Sequence, residues 1–252
     1  MFDIAYTHHH GKQCPHQEDA LWNGQQTIQK KSILSAAYTH SADSLLLAVA
    51  DGVATSPQPH LASRFVIETL ARIGGADVPL TTRLIRDLHG CLCDRYAKGR
   101  TVGTSTTLVA ARCAGDLCEI VNVGDSRAYL ISANGAWTQA SRDHTFLNDL
   151  IDQGIADPDG KYASIYQSLV HCLTAEYEED GFAIHSRQSP FLPGDSLLLC
   201  SDGLHDVLGD EKLRDLFDAS LAPLEQVKIW RKAVMQAGAP DNLSIILARR
   251  LA

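Results

Sequence analysis

The sequence has no apolar run approaching the ~20 residues that a membrane-spanning helix needs. Its opening stretch, MFDIAYTHHH, lacks a signal-peptide pattern, so a cytoplasmic location is expected and no membrane partner. There is no Cys-x-x-Cys pair. The cysteines (Cys14, Cys91, Cys93, Cys113, Cys118, Cys172 and Cys200) are odd in number, and Cys113, Cys172 and Cys200 sit in apolar contexts. That pattern reads as reduced, mostly buried thiols, and Cys91-Leu92-Cys93 is too closely spaced for a zinc knuckle. Nor is there a surplus of positive charge: Lys and Arg total 22 against 30 Asp and Glu, a net −8. This argues against a nucleic-acid partner, which would need a basic face. Phosphorylated substrates stay open, because bound cations reverse the sign locally. Internal repeats, low-complexity blocks and long linkers are also missing, so residues 1–252 are expected to form one domain.

What is present is a repeated local signature. The run LLLAVA breaks into Asp51-Gly52, and SLLLCS breaks into Asp202-Gly203. Each run reads as a buried strand, and each Asp-Gly either as a plain turn or as a carboxylate held at a strand mouth. Further strands are expected near 2–7, 33–39, 104–112, 117–123, 126–132, 136–139, 182–188 and 242–249. Helices are expected at 60–74, 80–97, 145–153, 210–219 and 223–237, with Thr81 or Thr82 capping the second and Gly99 just past its end. Strand runs interrupted by paired helices point to an antiparallel β-sandwich covered by helices, an α+β fold.

The acidic candidates are Glu18, Asp19, Asp51, Asp125, Asp143, Asp202 and Asp241. Asp125 links two apolar strands, and Asp241 opens the last one. Burying such carboxylates together costs several kcal/mol each unless they protonate or bind cations. An all-oxygen donor set favours magnesium or manganese over zinc or copper.

The segments Glu18-Asp19-Ala20, LAVADG (47–52), GTSTTLVAA (103–111), NVGDSRAYLI (122–131), SRDHT (141–145), LLCSDGLHDVL (198–208) and PDNLSIILA (240–248) follow one another in order. As a set they resemble the metal-dependent serine/threonine protein phosphatases of type 2C (PPM), in their compact bacterial form. The resemblance implies a sandwich of two antiparallel sheets flanked by helices on both sides. It also implies two magnesium or manganese ions at one end, with a third in bacterial members. On this sequence Asp51 would bridge the two ions, Gly52 would offer its carbonyl to one, and Asp202 and Asp241 would complete the ligands of the other. Of Glu18 and Asp19, one would reach metal through water and the other would support the site. Asp125 would join Asp202 at the third ion. Asp143 and His144 are placed behind the ligands or in sheet packing. The implied reaction is attack of a metal-activated water on a phosphoserine or phosphothreonine monoester, with no phosphoenzyme. The implied partners are phosphoproteins and a Hanks-type kinase that modifies them, with the chain acting as a monomer. A weakly active or non-catalytic phosphoprotein-binding module and a small-molecule phosphomonoesterase are the alternatives.

The pattern is broken in three places. The family's Gly-x-x-Arg-x-x-Asn-Glu-Asp reads Gly11-Lys12-Gln13-Cys14-Pro15-His16-Gln17-Glu18-Asp19 here. Cys14 thus replaces a phosphate-binding arginine and cannot supply its cationic fork; Lys12 and His16 are the nearest substitutes. Val53 follows Asp51-Gly52 where eukaryotic relatives place a histidine, and His60 fits the start of the next helix better than a general-acid role. Residues 145–180 match a mobile flap. The triple histidine His8-His9-His10 is read as a surface feature.

Overall fold

The computed structural model describes residues 1–30, 32–177 and 181–251. The strands of the N-terminal half are β1 (Phe2–His9), β2 (Ala20–Trp22), β3 (Thr27–Ile28), β4 (Ser32–His40), β5 (Ser44–Ala50), β6 (Ser105–Thr106), β7 (Leu108–Ala114) and β8 (Leu117–Val123). Then come β9 (Arg127–Ile131), β10 (Trp137–Gln139), β11 (Leu173–Thr174), β12 (His185–Pro190), β13 (Ser196–Cys200) and β14 (Leu243–Arg250). The helices are α1 (Pro59–Ile73), α2 (Thr82–Tyr96), α3 (Phe146–Asp152), α4 (Asp202–Asp215) and α5 (Pro223–Gln236).

Two antiparallel sheets carry the fold, ordered β10-β9-β13-β14-β1-β4 and β12-β8-β7-β5-β2-β3, with a small β6-β11 pair beside them. The layers follow from alternation along the strands. Leu45, Leu47 and Val49 of β5 meet Leu197, Leu199 and Ile246 between the sheets. Leu46, Ala48 and Ala50 turn the other way, onto Val66, Ile67 and Leu70 of α1 and Ile85 and Leu88 of α2. On the far side Leu198, Cys200, Ile245 and Leu247 pack on Leu204 of α4 and on Val227 and Trp230 of α5. Because both faces of β5 and β13 are covered, both strands read as unbroken apolar runs. The expected helix–sheet–sheet–helix sandwich is what the chain adopts.

The differences have local causes. β2 and β3 span three and two residues, too short for any periodicity to announce them. The helix expected at 210–219 begins at Asp202 instead and breaks at Gly209, whose φ of 72° is non-helical. The strand expected at 182–188 runs from His185 to Pro190. Within the expected flap, 145–180, α3 and β11 form as regular pieces, and residues 178–180 lie outside the described residues. His8 is no surface residue, being fully buried in β1. Among the described residues no helix is long and apolar enough to cross a membrane.

Thr81 is the cap of α2, its hydroxyl oxygen accepting the Leu84 amide at 3.2 Å. Thr81→Ala is expected to lower the unfolding free energy by about 1 kcal/mol. Urea denaturation checks this, and an unchanged midpoint would mean that the cap contributes nothing.

Candidate metal centre

The carboxylates singled out in the sequence converge on one end of the sandwich. Asp51 follows β5, Asp125 joins β8 to β9, Asp202 opens α4 straight after β13, Asp241 precedes β14, and Glu18 and Asp19 precede β2. A cavity of about 180 Å³ is lined there by Glu18, Asp51, Gly52, Asp125, Asp202 and Asp241, and among the described residues no Lys, Arg or His lines it. In both Asp-Gly pairs the glycine serves close approach of the chain to itself. A Cβ on Gly203 would lie 1.9 Å from the Asn242 carbonyl oxygen, and one on Gly52 would lie 2.8 Å from that of Glu18. The first of these contacts docks Asp202 beside Asp241, and the second docks Asp51 beside Glu18.

Such crowding shifts the acids upward. Asp51 is raised well above the ordinary carboxylate range by burial, then by the charges of Asp19 and Asp202. Asp202 is pushed up to about 7 by burial and then by Asp241. Burial and then Asp202 bring Asp125 to about 7. Asp19, fully buried, rises to about 6 through desolvation, opposed by hydroxyl donors from Ser244 and Ser201. Glu18 is also raised, by burial first and Asp241 second, with His16 acting the other way. Anionic groups forced together in this manner call for positive charge that the side chains do not supply.

Residues absent from the sequence-based candidates hold the carboxylates in place. The Thr107 amide and the Thr106 hydroxyl both donate to the Asp51 carbonyl at 2.8 Å, and Thr107 Oγ1 accepts the Asp51 amide at 3.0 Å. Asn242 is a hub: its Oδ1 accepts the Glu18 amide at 2.6 Å, and its Nδ2 donates to the carbonyls of His10 and His16 at 3.0 Å each. The only signal for these residues in the sequence is their membership of GTSTTLVAA and PDNLSIILA, which marks a motif without assigning a task.

The remaining candidates fall as follows. Lys12 donates its ammonium to the Met235 carbonyl at 2.7 Å, so it is turned onto the end of α5 and away from the cavity. His16 is exposed, near enough to Glu18 to favour that residue's charge. Cys14 lies 3.4 Å from the Pro240 carbonyl and 3.5 Å from Asp241 Oδ1, and burial followed by Asp241 pushes its thiol up to about 11, leaving it neutral. Asp143 is clamped by Arg127 at 2.6 Å and by Gln139 at 2.9 Å, which fits the packing role. The buried His144 accepts the Gly124 amide through Nδ1 at 3.0 Å, bracing the backbone next to Asp125. His60 sits in the first turn of α1, and Val53 lines the cavity.

The donor set fits a hard divalent cation. Asp19 Oδ1 and Asp202 Oδ1 are buried with no hydrogen-bond partner among the described residues, and unpaired buried carboxylate oxygens are costly unless a cation or water meets them. No three His, Cys, Asp or Glu side chains among the described residues are disposed to hold one ion by themselves. The acidic side chains that line the cavity are oxygen donors, the chemistry that suits magnesium or manganese better than zinc.

The chain belongs to the protein phosphatase 2C family, whose model matches residues 34–238. That span contains Asp51, Asp125 and Asp202, while Glu18, Asp19 and Asp241 flank it. The serine/threonine protein phosphatase PstP of Mycobacterium tuberculosis is 29% identical over 214 residues, covering 82% of this chain and 40% of the relative. The serine/threonine phosphatase stp of Listeria monocytogenes is 32% identical over 151 residues, covering 59% of this chain and 58% of that protein. The chain thus spans about two fifths to three fifths of the curated relatives it matches. The crystal structure of the mycobacterial PstP/Ppp superposes with a TM-score of 0.79 at 25% identity, covering both chains fully. A structure of the PstP catalytic domain in complex with two manganese ions gives 0.74 at 25% identity, again with full coverage.

Proposed function

We propose that this chain hydrolyses phosphoserine and phosphothreonine monoesters of proteins, using two magnesium or manganese ions held by Asp51, Asp202, Asp241 and the Gly52 carbonyl. Of Glu18 and Asp19, one would reach metal through water and the other would support the site, and Asp125 with Asp202 would hold a third ion. The carrying observation is a cavity walled by carboxylates from five separate chain segments, with unpartnered buried oxygens and no cationic side chain among the described residues. When bound, the ions would lower the pKa of a water and polarise the phosphoryl oxygens.

The chain's own residues do the positioning. Thr106 and Thr107 lock the Asp51 backbone, Gly203 lets Asp202 approach Asp241, and Asn242 holds the Glu18 amide and both ends of the 10–16 loop. With Lys12 turned onto α5, His16, which lies near enough to Glu18 to favour that residue's charge, would be the donor to phosphate. A cytoplasmic site of action, a partner kinase of the Hanks type and a monomeric state belong to the same reading.

The test is a manganese-dependent assay on p-nitrophenyl phosphate and on a phosphothreonine peptide. Turnover of both supports the proposal. Turnover of the small ester alone would point to a small-molecule phosphomonoesterase, and turnover of neither would leave a binding module. Because the cavity lacks a fixed cation, Cys14→Arg is expected to lower KM for p-nitrophenyl phosphate about tenfold, the worth of one charge-assisted hydrogen bond. An unchanged or higher KM in steady-state kinetics would sink that expectation.

A further inference from the structure

His8 is fully buried, yet it is a polar residue in the middle of a sandwich. It faces Ser244 directly across the β1–β14 ladder. Its Nδ1 lies 2.9 Å from Ser244 Oγ, and Ser244 Oγ donates to Asp19 Oδ2 at 2.6 Å. Ser201 donates to the same Oδ2 at 2.9 Å, while its own oxygen accepts the Ser244 amide at 3.0 Å.

These contacts fix the protons. A serine hydroxyl has one hydrogen, and Ser244 gives it to the carboxylate, so Ser244 Oγ must accept from His8. The imidazole is therefore the Nδ1–H tautomer. Burial pushes His8 down to about 3, so the ring is neutral with a single N–H. The donors Nδ1–H and Oγ–H run one way, toward Asp19 Oδ2, and each link polarises the next. Asp19 Oδ1 is left with no hydrogen-bond donor among the described residues, and the Asp51 carboxyl stands close enough to the Asp19 carboxylate to favour its charge.

We propose that His8 is a positioning residue for the metal centre, acting through Ser244 to hold Asp19 oriented with Oδ1 free for the hydrated cation. The role rests on the metal-site reading given above. Hydrogen-bonded partners behind metal ligands are commonly worth about 10–100-fold in metal affinity, and here the partner lies one residue further back.

Manganese binding to the purified protein by isothermal titration calorimetry tests the role without any assay of turnover. His8→Leu is expected to weaken manganese about tenfold. His8→Asn, which keeps an N–H donor at the Nδ1 position, is expected to stay within about threefold of wild type. Ser244→Ala should cost about as much as His8→Leu, and the double variant no more than either, because the residues act in one chain. Should His8→Leu fail to fold, Ser244→Ala and His8→Asn carry the test. Equal binding by wild type, His8→Leu and Ser244→Ala would overturn the positioning role alone. Equal losses in His8→Leu and His8→Asn would also overturn it, reducing His8 to packing. Absence of manganese binding by wild type would overturn both this role and the metal-site reading.

Discussion

Asp202→Asn is expected to reduce manganese-dependent turnover of p-nitrophenyl phosphate by at least about 10³-fold while leaving the apo protein as stable as wild type, or more stable. The two effects have opposite signs for one reason. Asp202 sits among Asp51, Asp19 and Asp241; burial, then the charges of Asp241 and Asp19, raise its pKa to about 7, while a hydrogen bond with Asp51 acts the other way. Removing one negative charge relieves repulsion in the metal-free protein, and asparagine fills the same volume. The same charge is what a divalent cation needs, and metal stabilisation of a phosphoryl transition state is worth several kcal/mol, hence the rate loss. Steady-state kinetics with manganese and calorimetric unfolding without it check both halves. Full activity in the variant would refute the assignment of Asp202.

Gly203→Ala is expected to damage stability and turnover together. The new methyl would lie 1.9 Å from the Asn242 carbonyl oxygen and 2.9 Å from its carbon, both closer than real Cβ contacts come. Backbone cannot swing aside as a side chain would, so Asp202 and the Asp241–Asn242 segment must separate by about 1 Å or more. Overpacking of this kind costs about 1–3 kcal/mol or more, and a 1 Å misplacement in a catalytic constellation costs about 10²-fold in rate. Gly90 is the control. It is an exposed residue inside α2 with nothing within 4 Å of an added methyl, so Gly90→Ala should gain about 0.5–1 kcal/mol. If Gly203→Ala matched that control in thermal unfolding and in kcat, the close-approach account would be wrong.

The contrast between these glycines explains much of what is legible in the sequence. The strands β5 and β13 are readable because helix and sheet bury both their faces, leaving continuous apolar runs. The acids are readable because an aspartate ending such a run has nowhere to point but the edge. The start of α4 is not, since a glycine in the first turn of a helix contradicts propensity, and only the Asn242 backbone packed directly against it accounts for it. The supporting hydroxyls and amides leave no trace either. Ser201, Ser244, Asn242 and His8 reach partners 182 to 236 residues away, and hydrogen bonds that long carry no periodicity. His8 eludes a sequence reading for the same reason: beside two other histidines it looks like surface, and only its pairing with β14 shows it buried.

The place of β14, between β13 and β1, has a consequence for biosynthesis. Residues 9 and 243 are neighbours in the finished sheet although more than two hundred residues separate them, a closure costing about 5 kcal/mol in chain entropy. On a ribosome adding about 5–20 residues per second, β1 waits roughly ten to fifty seconds for that partner. In the finished sheet β14 is what joins β1 and β4 to β13, β9 and β10, so until it is made the edges of β1 and β13 that it covers have no strand to pair with. Asp19 lacks Ser244 through the same interval, and Asp51 lacks Asp241. A chain released before β14 would therefore carry neither the closed sheet nor the full set of carboxylates that line the cavity.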